Sequence, residues 1–246
     1  MKRMVSCFLI VAMALCIITT ATAHDDIKYS AMSDDDLSIM TGIAKDEISE
    51  AREFYGNDFD EVMSEYVEVS SVTPMGFSPM GDYDWNRLKE TFSGGVIIVS
   101  KDQSTVLRHG HAAICFTSTH IVEHPGTGQL SRLIAADQSF KNLGAVATFK
   151  PTGATNSQML RAGNYACNNL LDWEYNVLAS RTSSTKMNCA TLVWKSYDYV
   201  DVEVCDPGTG TVYPSMLDVD GYTTQLYATG QYVGASWVFS AGEVTE

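Results

Sequence analysis

Residues 188–197 read Asn188-Cys189-Ala190-Thr191-Leu192-Val193-Trp194-Lys195-Ser196-Tyr197, directly after the polar run Thr182-Ser183-Ser184-Thr185-Lys186-Met187. Cys189, Leu192, Val193, Ser196 and Tyr197 share one face at helical spacing, so a helix is expected to open at Cys189. Upstream, Met159, Ala162, Ala166, Leu170 and Trp173 mark a second helix from about Thr155 to Trp173. Before that come strand-like runs at 95–100, 111–117, 120–124 and 144–150, rich in Val, Ile, Ala and Phe and separated by turn residues. Thr211 to Ser240 returns to strand-like, aromatic-rich segments. Strands grouped around helices without regular alternation imply an α+β fold.

Working outward, Pro74 and Pro79 with Gly76 and Gly81 make 71–81 an irregular linker, and the main domain is read as 82–246. Residues 24–70 carry fourteen Asp or Glu against Lys28, Lys45 and Arg52. Within them Leu37, Met40, Ala44, Ile48, Ala51 and Tyr55 recur at intervals of three and four, and Phe59, Val62, Met63 and Tyr66 repeat the pattern. Two short amphipathic helices are expected, opening at Ser33 before Asp34 to Asp36. Such an acidic extension is read as an accessory docked by one apolar stripe, with a pro-segment over a site as the alternative. Residues 1–23 have the form of a secretory signal: Lys2 and Arg3, an apolar stretch from Phe8 to Ile18, then Ala21-Thr22-Ala23. The expected mature chain is exported, extracellular or periplasmic, and not anchored in a membrane. Sixteen basic against thirty acidic residues, a net charge of -14, argue against nucleic acid as a partner.

The chemistry centres on Cys189. At a helix N-terminus the unsatisfied N–H groups and the positive dipole end favour thiolate, Lys186 adds nearby positive charge, and the Cys189 N–H can hold an oxyanion. Such a nucleophile needs a base. His111 follows Gly110 and opens the run His111-Ala112-Ala113-Ile114, where a strand would fix its ring. Glu123, in Ile121-Val122-Glu123-His124, is a carboxylate among apolar neighbours and needs a partner such as an imidazole. A zinc site from His109 and His111 with His120 or His124 is the alternative, without the spacing of a known zinc motif. Cys167 with Cys205 is the disulfide to test, and Cys115 reads as a buried small hydrophobe.

Gly110-His111-Ala112-Ala113-Ile114, then Val122-Glu123, Tyr175-Asn176 and Asn188-Cys189-Ala190-Thr191-Leu192-Val193-Trp194 with Tyr197 resemble the YiiX-like family of circularly permuted papain-fold hydrolases, relatives of NlpC-type cell-wall peptidases. The resemblance spans roughly residues 90–228 and includes the order, His before Cys. It implies an antiparallel sheet packed on a helix that carries the nucleophile Cys189, with His111 as general base and Glu123 orienting its imidazole. It further implies a cysteine peptidase or amidase, without metal or organic cofactor, acting on a peptide, cell-wall or acyl substrate such as a peptidoglycan stem peptide. The alternatives are a lipid- or acyl-ester-acting thiol hydrolase or acyltransferase, and a catalytically idle cell-surface binding module.

The assignment of Glu123 carries a geometric condition. His111, Ala113 and Cys115 share a strand face, so Glu123 joins them only if its cross-strand partner is odd-numbered. That requires an odd loop or a bulge around Thr117 to His120.

Overall fold

The computed structural model describes residues 28–70, 77–102, 110–206, 210–219 and 221–234. The signal segment, His24, His109 and the expected strand-like tail from 235 lie outside the described residues. The chain forms an α+β fold, with N-terminal helices ahead of a six-stranded antiparallel sheet on which further helices pack.

The acidic extension folds into three helices rather than two: α1 (Asp34–Thr41), α2 (Lys45–Tyr55) and α3 (Phe59–Ser70). Ser33 caps α1 by accepting from the Asp36 N–H at 3.1 Å. The apolar stripe crosses a break that its spacing conceals. Gly42, at φ 75°, ends α1 in the left-handed conformation that glycine adopts without a Cβ clash. Leu37, Ile48, Ala51, Phe59, Val62 and Met63 are buried, whereas Met40 is exposed.

Downstream, α4 (Asp82–Glu90) precedes the sheet, built from β1 (Ile97–Ser100), β2 (His111–Cys115), β3 (His120–Glu123), β4 (Arg132–Ala135), β5 (Val146–Pro151) and β8 (Thr223–Ala228). The strand order is β4-β3-β2-β1-β5-β8. A two-residue parallel pair, β6 (Glu174–Tyr175) with β7 (Lys186–Met187), precedes the nucleophile's helix. β4 has no counterpart among the expected strands. Its side chains are exposed to half-buried, so it carries no clean apolar signal.

Between β4 and β5 lies the short helix α5 (Ala136–Ser139), and α6 (Asn156–Asn169) and α7 (Cys189–Asp198) pack on β2. The α6 helix opens with a capping box, Thr155 and Gln158 satisfying each other's backbone N–H. It stops four residues before the expected Trp173, whose indole N–H instead donates to the Asn169 carbonyl at 3.1 Å. Gly163 lets α6 approach the sheet, because a Cβ there would lie 2.7 Å from the Cys115 carbonyl oxygen. Among the described residues from Thr211 to Gly234, one strand, β8, forms, with a 3-10 turn at Pro214–Leu217 and a short helix α8 (Gly230–Gly234).

Two apolar clusters result. The main one joins the sheet, α4, α6 and α7 and takes no residue from 28–70. The second joins the N-terminal helices to Tyr175, Val177, Leu178 and Tyr213.

Candidate active site

The β2–β3 register decides whether the carboxylate can reach the imidazole. Ala113 pairs with Glu123, Ile114 with Val122 and Cys115 with Ile121. The Phe116 N–H donates to the His120 carbonyl at 2.9 Å, leaving 117–119 as a loop of odd length. Glu123 therefore has an odd-numbered partner and lies on the His111 face, as the parity condition requires. Glu123 Oε2 and His111 Nε2 are 2.9 Å apart.

Two further groups hold that carboxylate, and one holds the ring. Arg132, directly opposite Glu123 on β4, donates to Oε1 from Nε at 2.9 Å and Nη2 at 2.7 Å. Ser139, at the end of α5, donates to Oε2 at 2.5 Å. Phe140 stacks on the imidazole with ring centroids 5.2 Å apart. Burial would push Glu123 up, but the His111 contact, Ser139 and Arg132 hold it down at about 2. Sequence reasoning missed Arg132 and Ser139 because β4 was not expected, and no local motif marks either residue.

Cys189 is the first residue of α7. The preceding Asn188 accepts from the Thr191 N–H at 2.8 Å and donates through Nδ2 to the carbonyls of Val177 at 3.1 Å and Val212 at 3.0 Å. This side chain ties the helix start to two separate loops, so the thiol is fixed in direction as well as position. The other His111 nitrogen, Nδ1, meets no nitrogen or oxygen partner among the described residues. Cys189 acts on the same ring. Burial works against a charged imidazole, yet the hydrogen bond and charge of Cys189, with those of Glu123, raise His111 to about 10.

Other expectations are corrected. The site is buried, with Cys189 0%, His111 4% and Glu123 1% exposed. Lys186 does not serve the thiol, because its ammonium lies 2.5 Å from Glu50 Oε2 and 3.6 Å from Glu174. Cys167 and Cys205 are both free thiols, as is Cys115, so the proposed disulfide is not formed.

The histidines point to different surroundings. His120 is exposed with Nδ1 3.0 Å from the Thr119 hydroxyl, and His124 Nε2 lies 3.0 Å from the Trp173 carbonyl oxygen. Burial holds His124 down at about 4. Among the described residues no three His, Cys, Asp or Glu side chains gather as a metal site. Tyr175, unassigned a role by sequence, has its ring 4.9 Å from His124, and burial, followed by nearby groups including Cys189 and Glu47, raises its hydroxyl well above the ordinary value.

Arg132 offers a direct test of how Glu123 is held. Arg132→Met should lower any His111-dependent turnover by about tenfold and move the acid limb of its pH profile upward, since a charge-assisted bond of about 1.5–3 kcal/mol is lost, reduced by its exposure. Arg132→Lys should recover part of the effect, and an unmoved pH profile would show that Arg132 has no influence on the carboxylate.

Compared with protein-family models, with curated proteins and with solved structures, the chain has no significant match in any of the three.

Proposed function

We propose that this chain is an exported cysteine hydrolase of permuted papain-like architecture, cleaving an amide bond through Cys189, His111 and Glu123. One observation carries the reading: the buried series Glu123, His111 and Cys189, braced from the surface by Arg132 and ending at the N-terminus of α7. With the thiol ionised and the imidazole protonated, the four groups alternate in sign and their charges cancel. Burial then costs far less than it would for any one of them alone. Signal-like residues 1–23 support export, and the acidic balance supports a substrate other than nucleic acid.

The thiolate attacks the carbonyl carbon, and the carbonyl electron pair moves onto oxygen beside the first N–H groups of α7. As the tetrahedral intermediate collapses, the C–N bond breaks. His111 gives its Nδ1 proton to the leaving amine, and a thioester to Cys189 remains. Water then attacks the thioester while His111 takes its proton. The C–S bond breaks, an acid is released and the thiolate with its imidazolium is restored. Glu123 holds the ring through Nε2 throughout, so that Nδ1 always faces the sulfur. No step requires a metal or organic cofactor. Peptidoglycan stem peptides are the substrate class that suits an exported amidase.

The test is mass spectrometry of the full chain after exposure to peptide-amide and acyl-ester substrates. The expected result is an acyl mass on the peptide containing Cys189, with amine products from the peptide substrates. Products from esters alone would identify an acyl-ester hydrolase or acyltransferase instead. The complete burial of Cys189 favours a second reading, a catalytically idle binding module, and absence of any adduct after the thiol has been made accessible would establish it.

A further inference from the structure

The N-terminal helices dock on the segment that leads into Cys189. Helix α2 is seated on 174–188, the segment leading into the nucleophile. Glu47, buried on α2, accepts the Val177 N–H at 3.2 Å. Glu50, one turn on, takes Lys186 Nζ at 2.5 Å and Asn176 Nδ2 at 3.4 Å. Tyr55 donates to the Leu178 carbonyl at 2.8 Å and meets the Thr211 hydroxyl at 2.9 Å. Val177, held by Glu47 through its N–H, accepts from Asn188 Nδ2 through its carbonyl at 3.1 Å, so one residue links the extension to the cap of the nucleophile's helix.

The seam is part polar, part apolar and incompletely filled. A cavity of about 250 Å³ lies along it, lined by Glu50, Phe54, Tyr55, Asn176, Ser180 and Lys186. The main apolar cluster takes no residue from the extension, while the extension's own cluster borrows Tyr175, Val177, Leu178 and Tyr213. Docking by carboxylates on backbone and ammonium donors beside a small apolar cluster, distinct from the main core, is the construction of a removable part.

We propose that residues 28–70 are an autoinhibitory cap, latched by Glu47, Glu50 and Tyr55 onto the segment before Cys189, and that its displacement opens the site. This inference rests on the hydrolase reading for its meaning but not for its test. It replaces the docked accessory expected from sequence with the pro-segment alternative.

The experiment follows alkylation by iodoacetamide at neutral pH in the full chain, read separately on the Cys189, Cys167 and Cys115 peptides. Half-buried Cys167 calibrates open access, and Cys115, within β2, reports global unfolding. In the wild-type chain Cys189 should react far more slowly than Cys167. Glu47→Gln with Glu50→Gln keeps the side-chain shapes and removes both charges, and Cys189 labelling should rise by about tenfold or more with Cys115 unchanged. If Cys115 accelerates in parallel, that variant has lost its fold and Tyr55→Phe is read in the same way. Cys189 reacting as fast as Cys167 in the wild-type chain overturns the cap, as does a folded variant with unchanged labelling. Faster labelling without substrate turnover upholds the cap and defeats the hydrolase reading; the two rising together supports both.

Discussion

Cys189→Ala is expected to lower hydrolysis by at least about a thousandfold, in the full chain and in the cap-loosened Glu47→Gln/Glu50→Gln background, because no other group can form the thioester. The stability change should stay near 1 kcal/mol, the scale of one small buried group removed. A second readout separates a reactive pair from mere proximity. His111 is raised to about 10 partly by the hydrogen bond and charge of Cys189, so in Cys189→Ala its imidazole should titrate lower by NMR. Retained turnover would sink the mechanism. An unmoved imidazole titration would show that sulfur and ring are not coupled.

Glu123→Ala should produce the largest loss of stability. It leaves the Arg132 guanidinium and a buried His111 without their shared counter-ion, and breaking one side of such a pair costs about 3–5 kcal/mol, on the order of 10 °C in Tm for a chain of this size. The pH dependence follows from the directions of the shifts. Glu123 is held at about 2 against an ordinary 4.5, so its contribution is complete above about pH 4.5 and disappears as pH falls through 2. Wild type and variant should therefore converge in acid. His111 at about 10 against 6.5 contributes fully below pH 6.5, and that contribution is lost as pH rises through 10. His124, held at about 4 against 6.5, works in the opposite sense, costing stability as pH falls from 6.5 towards 4 in both proteins. Together they place the wild-type maximum near pH 6.5. Thermal melts from pH 2 to 10 check both the maximum and the convergence, and a constant difference down to pH 2 would show that Glu123 is not ionised in the folded chain.

The buried site also changes what His111→Ala should do. An exposed histidine could be removed at little cost. Here the ring is stacked on Phe140 and bonded to Glu123, so its removal opens a cavity beside an unpaired carboxylate.

What sequence alone determined was local. Alternation along 111–115 and 120–123 put His111 and Glu123 within reach of each other once an odd loop was granted, because side-chain direction in a hairpin follows from residue parity. Helical spacing after Asn188 put Cys189 at a helix start, because a capping side chain and an apolar face are both encoded within a few residues. The same locality explains the misses. Gly42 broke a stripe whose spacing ran on across it, β4 had no clear alternation, and α6 ended before Trp173. Tertiary structure decided which distant groups meet. Lys186 looked available to Cys189 in the chain but is engaged by Glu50, 136 residues away, and Arg132 reaches Glu123 only because β4 lies beside β3. Periodicity records which way a side chain faces along its own element. Its partner across a seam is selected by how complete elements pack, and that information is spread over the whole chain.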